Sequence, residues 1–544
     1  MPRKSFLHFD SLCAAARFLA VPSIFLALTA VAQLPAGIPG HVSSARSTLQ
    51  NTVVRSSDAP LFQPPVLYDS GGLFWAGSNR GLALADINGD GYPDVVVSNS
   101  YSNTLGVLLN NRDGTFQPAV TYNSGGAYPP SSVAIADVND DGKPDLIVAN
   151  SSGPYPADHA FVAVLMGNGD GTFQSPVTYD AGALGELSDV VVADVNGDRK
   201  LDLVVAYFTG SIAVLLGNGD GTFWAPILSR LPSANDSIAI ADVNNDGKPD
   251  LLATHGRDGW VGVSLGNGDG TFRTEVEYNS GAIWPGSFAV TDVNGDSKPD
   301  LVVANGGYPD GIVSILLGNG DGTFQPAKGY DSGGTFGRAL AVADVNGDGK
   351  PDVVVANLYT SNVGVLLGNG DGTFQPALTY DSGYEFPNSI VIADVNGDGA
   401  PDLLIQNRAG ANCCDGYVAV LLNNAPVCTT PPTITFSASP KLLRPPNGEM
   451  VPVKVSGKIT DAGTGCTVKS ATYTVTDEYG EVQPSGPVTL GPGDVFSFTV
   501  LLRASRFGTD IDGRLYTVIV TAGSNSNKTS SRSGTVVVPH DQAQ

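Results

Sequence analysis

The pattern Asp-x-Asn-x-Asp-x-x-x-Asp occurs seven times, starting at Asp86, Asp137, Asp194, Asp242, Asp292, Asp344 and Asp394, at intervals of 51, 57, 48, 50, 52 and 50 residues. One unit repeated at that spacing buries its apolar faces only against its own copies, so the chain is confined to an open solenoid or a closed ring. The motif also carries chemistry. The first copy, Asp86-Ile87-Asn88-Gly89-Asp90-Gly91-Tyr92-Pro93-Asp94, crowds three carboxylates and one amide into a single tight loop. Such crowding is unfavourable without a cation.

Oxygen ligands at positions 1, 3, 5 and 9, with a backbone carbonyl at 7, suit a hard cation such as calcium. The candidate ligands are Asp86, Asn88, Asp90 and Asp94; Asp137, Asn139, Asp141 and Asp145; Asp194, Asn196, Asp198 and Asp202; Asp242, Asn244, Asp246 and Asp250; Asp292, Asn294, Asp296 and Asp300; Asp344, Asn346, Asp348 and Asp352; and Asp394, Asn396, Asp398 and Asp402. Up to seven Ca2+ ions are expected. Their role is structural, because a closed ligand set leaves little room for substrate and converts binding free energy into folding free energy. Position 6 is Gly in five copies but Arg199 and Ser297 in the third and fifth. If the backbone there has positive φ, these two sites are the weaker ones.

Within each unit a short apolar run such as Ser389–Ala393 leads into the Asp loop, and a second run such as Asp352–Ala356 follows it. A loop of variable length, a third run (Val363–Leu367), a Gly-Asn-Gly-Asp-Gly-Thr-Phe turn and a fourth run complete the unit. Short Val/Ile/Leu runs bounded by Gly and Asp read as buried strands, and Asp-Gly between two of them signals a hairpin. Four antiparallel strands repeated radially make propeller blades. The ends of the array favour a ring. The seventh unit stops at Leu421-Leu422-Asn423-Asn424, before its fourth strand, while Phe62-Gln63-Pro64 through Gly72 matches Phe116 through Gly126. The N-terminal segment can therefore supply the missing strand, and closure removes the sheet edges that invite aggregation.

The repeat resembles the FG-GAP/VCBS repeats of the integrin alpha-chain propeller and of many secreted bacterial proteins. That resemblance implies that the Asp loop joins the first two strands of each blade and holds calcium. The expected fold class is all-β: a seven-bladed β-propeller over residues 61–424, closed by an N-terminal strand and followed by a β-sandwich. After a linker at 425–432, residues 433–544 alternate polar and apolar positions, as in Thr472–Thr476, over a length that fits a β-sandwich. This part resembles bacterial Ig-like domains.

Residues 1–32 read as a cleaved signal: Arg3, Lys4 and Arg17 precede an apolar stretch from Phe18 to Thr29, then Ala30-Val31-Ala32. The apolar stretch is too short to span a bilayer, so no transmembrane segment is expected in the mature chain, and residues 33–60 read as a linker. Localisation is therefore secreted or at the cell surface. Cys413, Cys414, Cys428 and Cys466 then remain, with three possible pairings. The net charge of −24 is unbroken by any basic patch, which argues against nucleic acid.

Strand alternation puts the Asp loops and the Gly-rich turns on one face. The loops after strands two and four share the other face and differ among copies. Function concentrates on variable loops held by a rigid scaffold, so Tyr155, His159, Tyr207, Trp284, Tyr308 and Tyr359 are candidate ligand-binding residues for a glycan or an extracellular protein. No catalytic constellation stands out. Gly262-Val263-Ser264-Leu265-Gly266 matches a nucleophile elbow only in letters, since it occupies a strand rather than a strand–turn–helix. The leading expectation is a non-catalytic binding or adhesion module; the alternative is a polysaccharide lyase or hydrolase using the variable face.

Overall fold

The computed structural model describes residues 60–73, 81–126, 128–151, 159–232, 236–256, 258–307, 311–408, 415–424, 431–444, 447–460, 468–481, 483–491, 494–505, 513–524 and 529–539. Residues 1–59, which hold the leader and all but the last residue of the first linker, residues 425–430 of the second linker, all five cysteines, Tyr155 and Tyr308 lie outside them.

Among the described residues the repeats form seven four-stranded antiparallel sheets. Unit one contains Leu82–Ala85, Asp94–Asn99, Thr104–Leu108 and Val120–Asn123, paired in that order. Units two to six follow over residues 130–184, 187–230, 238–279, 285–331 and 337–381. Unit seven takes Ser389–Ala393, Asp402–Arg408 and Asp415–Leu421 from its own stretch, and its fourth strand is Val66–Leu73 from the N-terminal segment. Val66 pairs with Val420 and Tyr68 with Val418, and Phe62 bridges Asn423.

The first strands of successive units pack side by side, and that of unit seven packs on that of unit one, so the sheets form a closed circuit. Each second strand is buried along its whole length, as in Asp94–Asn99 and Asp352–Asn357. That burial accounts for the continuous apolar runs, because a strand covered on both faces has no polar side to show. The fourth strands are largely exposed, and five of the seven are only four residues long, as in Val120–Asn123. Brevity and a preceding proline, such as Pro118 or Pro326, blunt the outer edge.

Three sets of contacts join neighbouring units. Near the Asp loops, the Gly-rich turn of one unit donates an N–H to the carbonyl of loop position 2 in the unit before: Gly171 to Ile87, Gly221 to Val138, Gly270 to Val195, Gly322 to Val243 and Gly372 to Val293. The side-chain amides of Asn110 and Asn423 complete the circuit, donating to the carbonyls of Val395 and Val345, each at 2.8 Å. The second set is aromatic. A Tyr of the outer strand meets edge-on the Phe that ends the next unit's turn, as in Tyr68–Phe116, Tyr122–Phe173 and Tyr330–Phe374.

The third set lies at the other end of the second strand. Asn99 and Ser70 exchange two hydrogen bonds: Ser70 Oγ donates to Asn99 Oδ1 at 2.7 Å, and Asn99 Nδ2 donates to the Ser70 carbonyl at 3.0 Å. Asn357 and Ser332 repeat both bonds, whereas the related pairs keep one: Asn150 and Asn407 donate to the carbonyls of Ser124 and Ser382, and Ser280 Oγ donates to Asn305 Oδ1. Between units two and three, Tyr207 Oη donates to the Ala181 carbonyl instead. Among the described residues, the junction of units three and four shows neither the Tyr–Phe contact nor the Asn–Ser contact. Ser229 stands at the Tyr position, and Arg230-Leu231 replaces the Asp-Ser turn.

Residues 433–538 form two further sheets. Thr433–Ser439, Met450–Thr460 and Val495–Arg503 make one. Ser485–Pro487, Val468–Asp477, Arg514–Ser524 and Thr529–Val538 make the other. One core, including Val453, Val455, Phe496, Tyr516, Val518 and Val536, fills the space between them. Arg514 is buried there, paired with Asp477 and Glu481 and lying 4.8 Å from the ring centres of Tyr479 and Tyr516.

Candidate functional site

Each Asp loop is wound by its own side chains. In the first, the Asp90 N–H donates to Asp86 Oδ1 and Asn88 Oδ1, both at 2.9 Å, and the Gly91 N–H to Asp86 Oδ2 at 2.8 Å. The Tyr92 N–H donates to Asp90 Oδ1 at 3.0 Å. The same bonds recur in the other loops, for example from Asp348 and Gly349 to Asp344 and Asn346. Position 6 has positive φ throughout, and in the five glycines it runs from 79° at Gly247 to 89° at Gly399. Arg199 and Ser297 adopt φ of 68° and 65°, so they carry the left-handed strain that a Cβ imposes.

The ninth-position carboxylates are held by the fold itself. Asp94 is fully buried; its Oδ2 accepts the Ile87 N–H at 3.1 Å and its Oδ1 the Asn110 N–H at 2.7 Å. It thereby ties the loop to the end of strand three, and Asp145, Asp202, Asp250, Asp300, Asp352 and Asp402 repeat the tie. Burial pushes Asp94 up to about 6 and Asp352 and Asp402 up to about 7. The two backbone N–H groups oppose that rise, and the carboxylates at loop positions 5 and 1 add to it. Oxygen donors under mutual repulsion are what a hard divalent ion relieves, so the loops fit calcium in donor type and charge.

On the opposite face the structure brings aromatic side chains together. Trp284 and Phe336 lie 5.9 Å apart between ring centres, and Phe336 and Tyr359 lie 4.9 Å apart, a run that crosses from unit five to unit six. Trp284 is 47% exposed and Tyr359 57%. Phe336 lies against Gly306, where a Cβ would come within 2.8 Å of its ring. Further along, Tyr384 packs on Tyr417, and the Arg408 guanidinium sits over Phe386.

Trp284, Phe336 and Phe386 hold the same place, just before strand one of units five, six and seven, with φ of 56°, 63° and 52°. An aromatic residue in that region is strained, and such strain persists where surrounding structure enforces it. The sequence reading singled out Trp284 and Tyr359 but missed Phe336 and Phe386. Their common spacing from the Tyr-Asp-Ser-Gly turn was the available signal.

Tyr207 does not belong to this surface. It is fully buried, and its hydroxyl bonds the Ala181 carbonyl at 2.8 Å, so it fills the place that Asn takes in other units. The expectation that it faces ligand is corrected: its neighbours in sequence lie in a variable loop, but its position ends a buried strand. His159 opens the third strand of unit two.

The ring axis contains a cavity of about 490 Å3 lined by first-strand residues such as Val133, Val190, Ala239 and Leu340. At the variable-loop ends of these strands the groups become polar. Buried Asp189 accepts from Ser132 Oγ at 2.8 Å and Ser237 Oγ at 3.1 Å, and Arg338 Nε donates to Asn388 Oδ1 at 3.3 Å. Burial lowers the Arg338 guanidinium, against the charges of Asp236 and Tyr359. Ser264 of the Gly-x-Ser-x-Gly stretch is buried within a third strand.

These features define an all-β repeat protein with one face of near-identical acidic loops and one of divergent loops. Residues 86–148, 137–205, 194–253, 242–303, 292–355 and 344–405 each match the family described as FG-GAP-like repeat. Together they span 86–405, more than half of the 544 residues, and the chain belongs to that family.

No curated protein matches the chain. Among solved structures it is similar to BBS1N from a complex with ARL6DN, at 13% identity and a TM-score of 0.45, covering 67% of this chain and 97% of that one. It is also similar to the periplasmic gluconolactonase PpgL of Pseudomonas aeruginosa, at 16% and 0.43 over 58% and 96%. A third is the WD40 domain of Toxoplasma gondii coronin, at 12% and 0.43 over 66% and 87%. Among the described residues no helix is long and apolar enough to cross a membrane.

Proposed function

We propose that the closed circuit is a seven-bladed propeller, stapled by calcium on one rim and followed by an Ig-like sandwich, and that it acts outside the cell as a glycan-binding module. The secreted location rests on the leader-like residues 1–32. In each loop the side chains at positions 1, 3, 5 and 9 would hold the ion, supplying the charge that their crowding lacks.

One observation carries the binding role: the Trp284–Phe336–Tyr359 run, exposed at both ends and set on strained backbone. Flat rings with fixed spacing offer stacking area at low entropy cost, and they bind sugar faces well. The aromatic residues change from unit to unit while the Asp loops do not, as expected if recognition sits on the variable rim.

The test is a glycan array probed with the full chain in millimolar calcium, followed on any hit by an assay for released product. Binding that falls at least tenfold in W284A and Y359A, without product, supports the reading. Product release converts it into an enzyme. A chain that binds no glycan, or whose binding both substitutions leave unchanged, refutes it.

A further inference from the structure

Among the described residues, one group of three metal-ligating side chains has its ligand atoms within 4.8 Å of one another, and it is not an Asp loop. It consists of His255, Glu275 and Glu277, all in unit four. The loop carboxylates stand further apart, each engaged by backbone N–H groups. His255 Nε2 lies 2.6 Å from Glu275 Oε1, with the two side chains 0% and 2% exposed, while Glu277 is exposed.

The strand register shows how the three meet. His255 pairs with Trp260, Gly262 pairs with both Ala253 and Glu277, and side chains two apart along a strand share a face. Glu275, His255 and Glu277 therefore stand on one side of the sheet. Glu275 lies over Gly262, where a Cβ would come within 2.2 Å of its carboxyl. His255 ends the second strand that Asp250 begins, so its imidazole stands at the opposite end of that strand from the Asp loop, and Glu275 reaches it across Gly262.

This arrangement is private to one repeat. At the His255 position the other units have Asn99, Asn150, Tyr207, Asn305, Asn357 and Asn407, which bond the outer turn of the unit before. At the Glu275 position they have Ala or Pro, as in Ala119, Pro176, Ala327 and Ala377; at the Glu277 position Thr121, Thr178 and Thr379 recur. In unit four three ligating side chains thus replace three non-ligating ones on the same face. A hydrogen-bonded pair alone accounts for two of these changes; it leaves Glu277 without a reason.

We propose that His255, Glu275 and Glu277 bind a divalent transition-metal ion, with solvent completing the shell on the Glu277 side. One imidazole with two carboxylates favours zinc and its neighbours in the first row over calcium, which takes six to eight oxygens. Two ligands about 2.0–2.1 Å from tetrahedral zinc stand about 3.3 Å apart, so the 2.6 Å His255–Glu275 pair opens by about 0.7 Å when the metal replaces the proton between them. That proton leaves to solvent, as metal binding to protonated ligands requires.

The probe is Zn2+ alone, titrated into the full chain with millimolar Ca2+ present to occupy the Asp loops. The comparison chain is H255N/E275A/E277T, which gives unit four the residues of its sisters and leaves all seven loops in place. We expect the wild type to take up one zinc more per chain than the triple variant, and E277Q to bind about tenfold more weakly. Zinc should also raise the unfolding temperature of the wild type alone. The single variants H255N and E275A provide the same readout if the triple variant fails to fold. Equal zinc uptake by the wild type and these variants, or none by the wild type, overturns the proposal.

Discussion

Tyr380 of unit six meets Phe62 edge-on, with ring centres 5.3 Å apart and planes at 90°. The two residues are separated by more than 300 positions, yet their contact reproduces the Tyr330–Phe374 contact between consecutive units five and six. The N-terminal segment is thus not merely a fourth strand laid on unit seven. It also supplies the Phe that unit seven lacks, and the Tyr380 hydroxyl accepts the Leu61 N–H at 3.2 Å.

Phe62 is 2% exposed, so replacing it by Ala should cost about 3–5 kcal/mol, the range for emptying a buried Phe site. Urea unfolding of Phe62→Ala against the wild type measures it. A cost below about 1 kcal/mol would mean that the segment is not part of the cooperative fold.

The junction of units three and four offers the converse experiment. Ser229 occupies the position that Tyr takes in the other outer strands, and Phe272 ends the turn of the next unit. Ser229→Tyr should build the missing edge-to-face pair and stabilise the chain by about 0.5–1.5 kcal/mol. Thermal unfolding reports it. A lowered unfolding temperature would show that this junction is spaced differently from the rest.

Asn357 accepts from Ser332 Oγ at 2.7 Å and donates to the Ser332 carbonyl at 3.1 Å, both in buried surroundings. Asn357→Ala strands the Ser332 carbonyl and leaves Ser332 Oγ only its long 3.5 Å bond to the Gly334 carbonyl, and a buried unsatisfied group costs about 1–3 kcal/mol. Asn357→Ala should therefore destabilise by at least that amount. Faster amide exchange should be confined to the seam between units five and six, a localisation that a general packing defect does not produce.

Much of this was legible in the chain. The period, the two faces and the borrowed strand follow from local patterns that repeat. The links between units were not, because each joins residues 25–29 positions apart across segments of variable length, as Ser70 with Asn99 and Ser382 with Asn407. Tyr207 was misplaced for the same reason: a residue at the last position of a buried strand and one at the first position of an exposed loop look alike in sequence. The His255–Glu275 pair escaped notice because His255 ends the second strand of its unit, while Glu275 lies just before the fourth, which is not adjacent to the second in the sheet.

Calcium removal and backbone strain make a linked prediction. Excess chelator should lower the unfolding temperature. Arg199→Gly and Ser297→Gly should each stabilise by about 1 kcal/mol, because φ is positive and the equivalent Gly91 and Gly349 have open space around a would-be Cβ. Only the strain is relieved, so the gain should persist in chelator. A gain that vanishes with calcium would assign the effect to ion affinity instead.

The last prediction concerns acid. Burial alone would raise the Asp477 carboxyl, but the Arg514 hydrogen bond and charge, with the Tyr479 N–H and Gln483, hold it below the usual carboxylate range. A group whose folded value is depressed contributes stability that is fully present above its unfolded value, near about 4, and lost as pH falls through the folded value. The wild type should therefore lose stability relative to Asp477→Asn as pH drops from about 5 towards 2. At neutral pH the order reverses in size: Asp477→Asn leaves the buried Arg514 with Glu481 as its remaining carboxylate, at a cost of a few kcal/mol. Melting temperatures of both proteins across that range, followed by a probe of residues 433–538, should converge at the acid end. Parallel curves would place the acid sensitivity elsewhere, in the loop carboxylates of the ring.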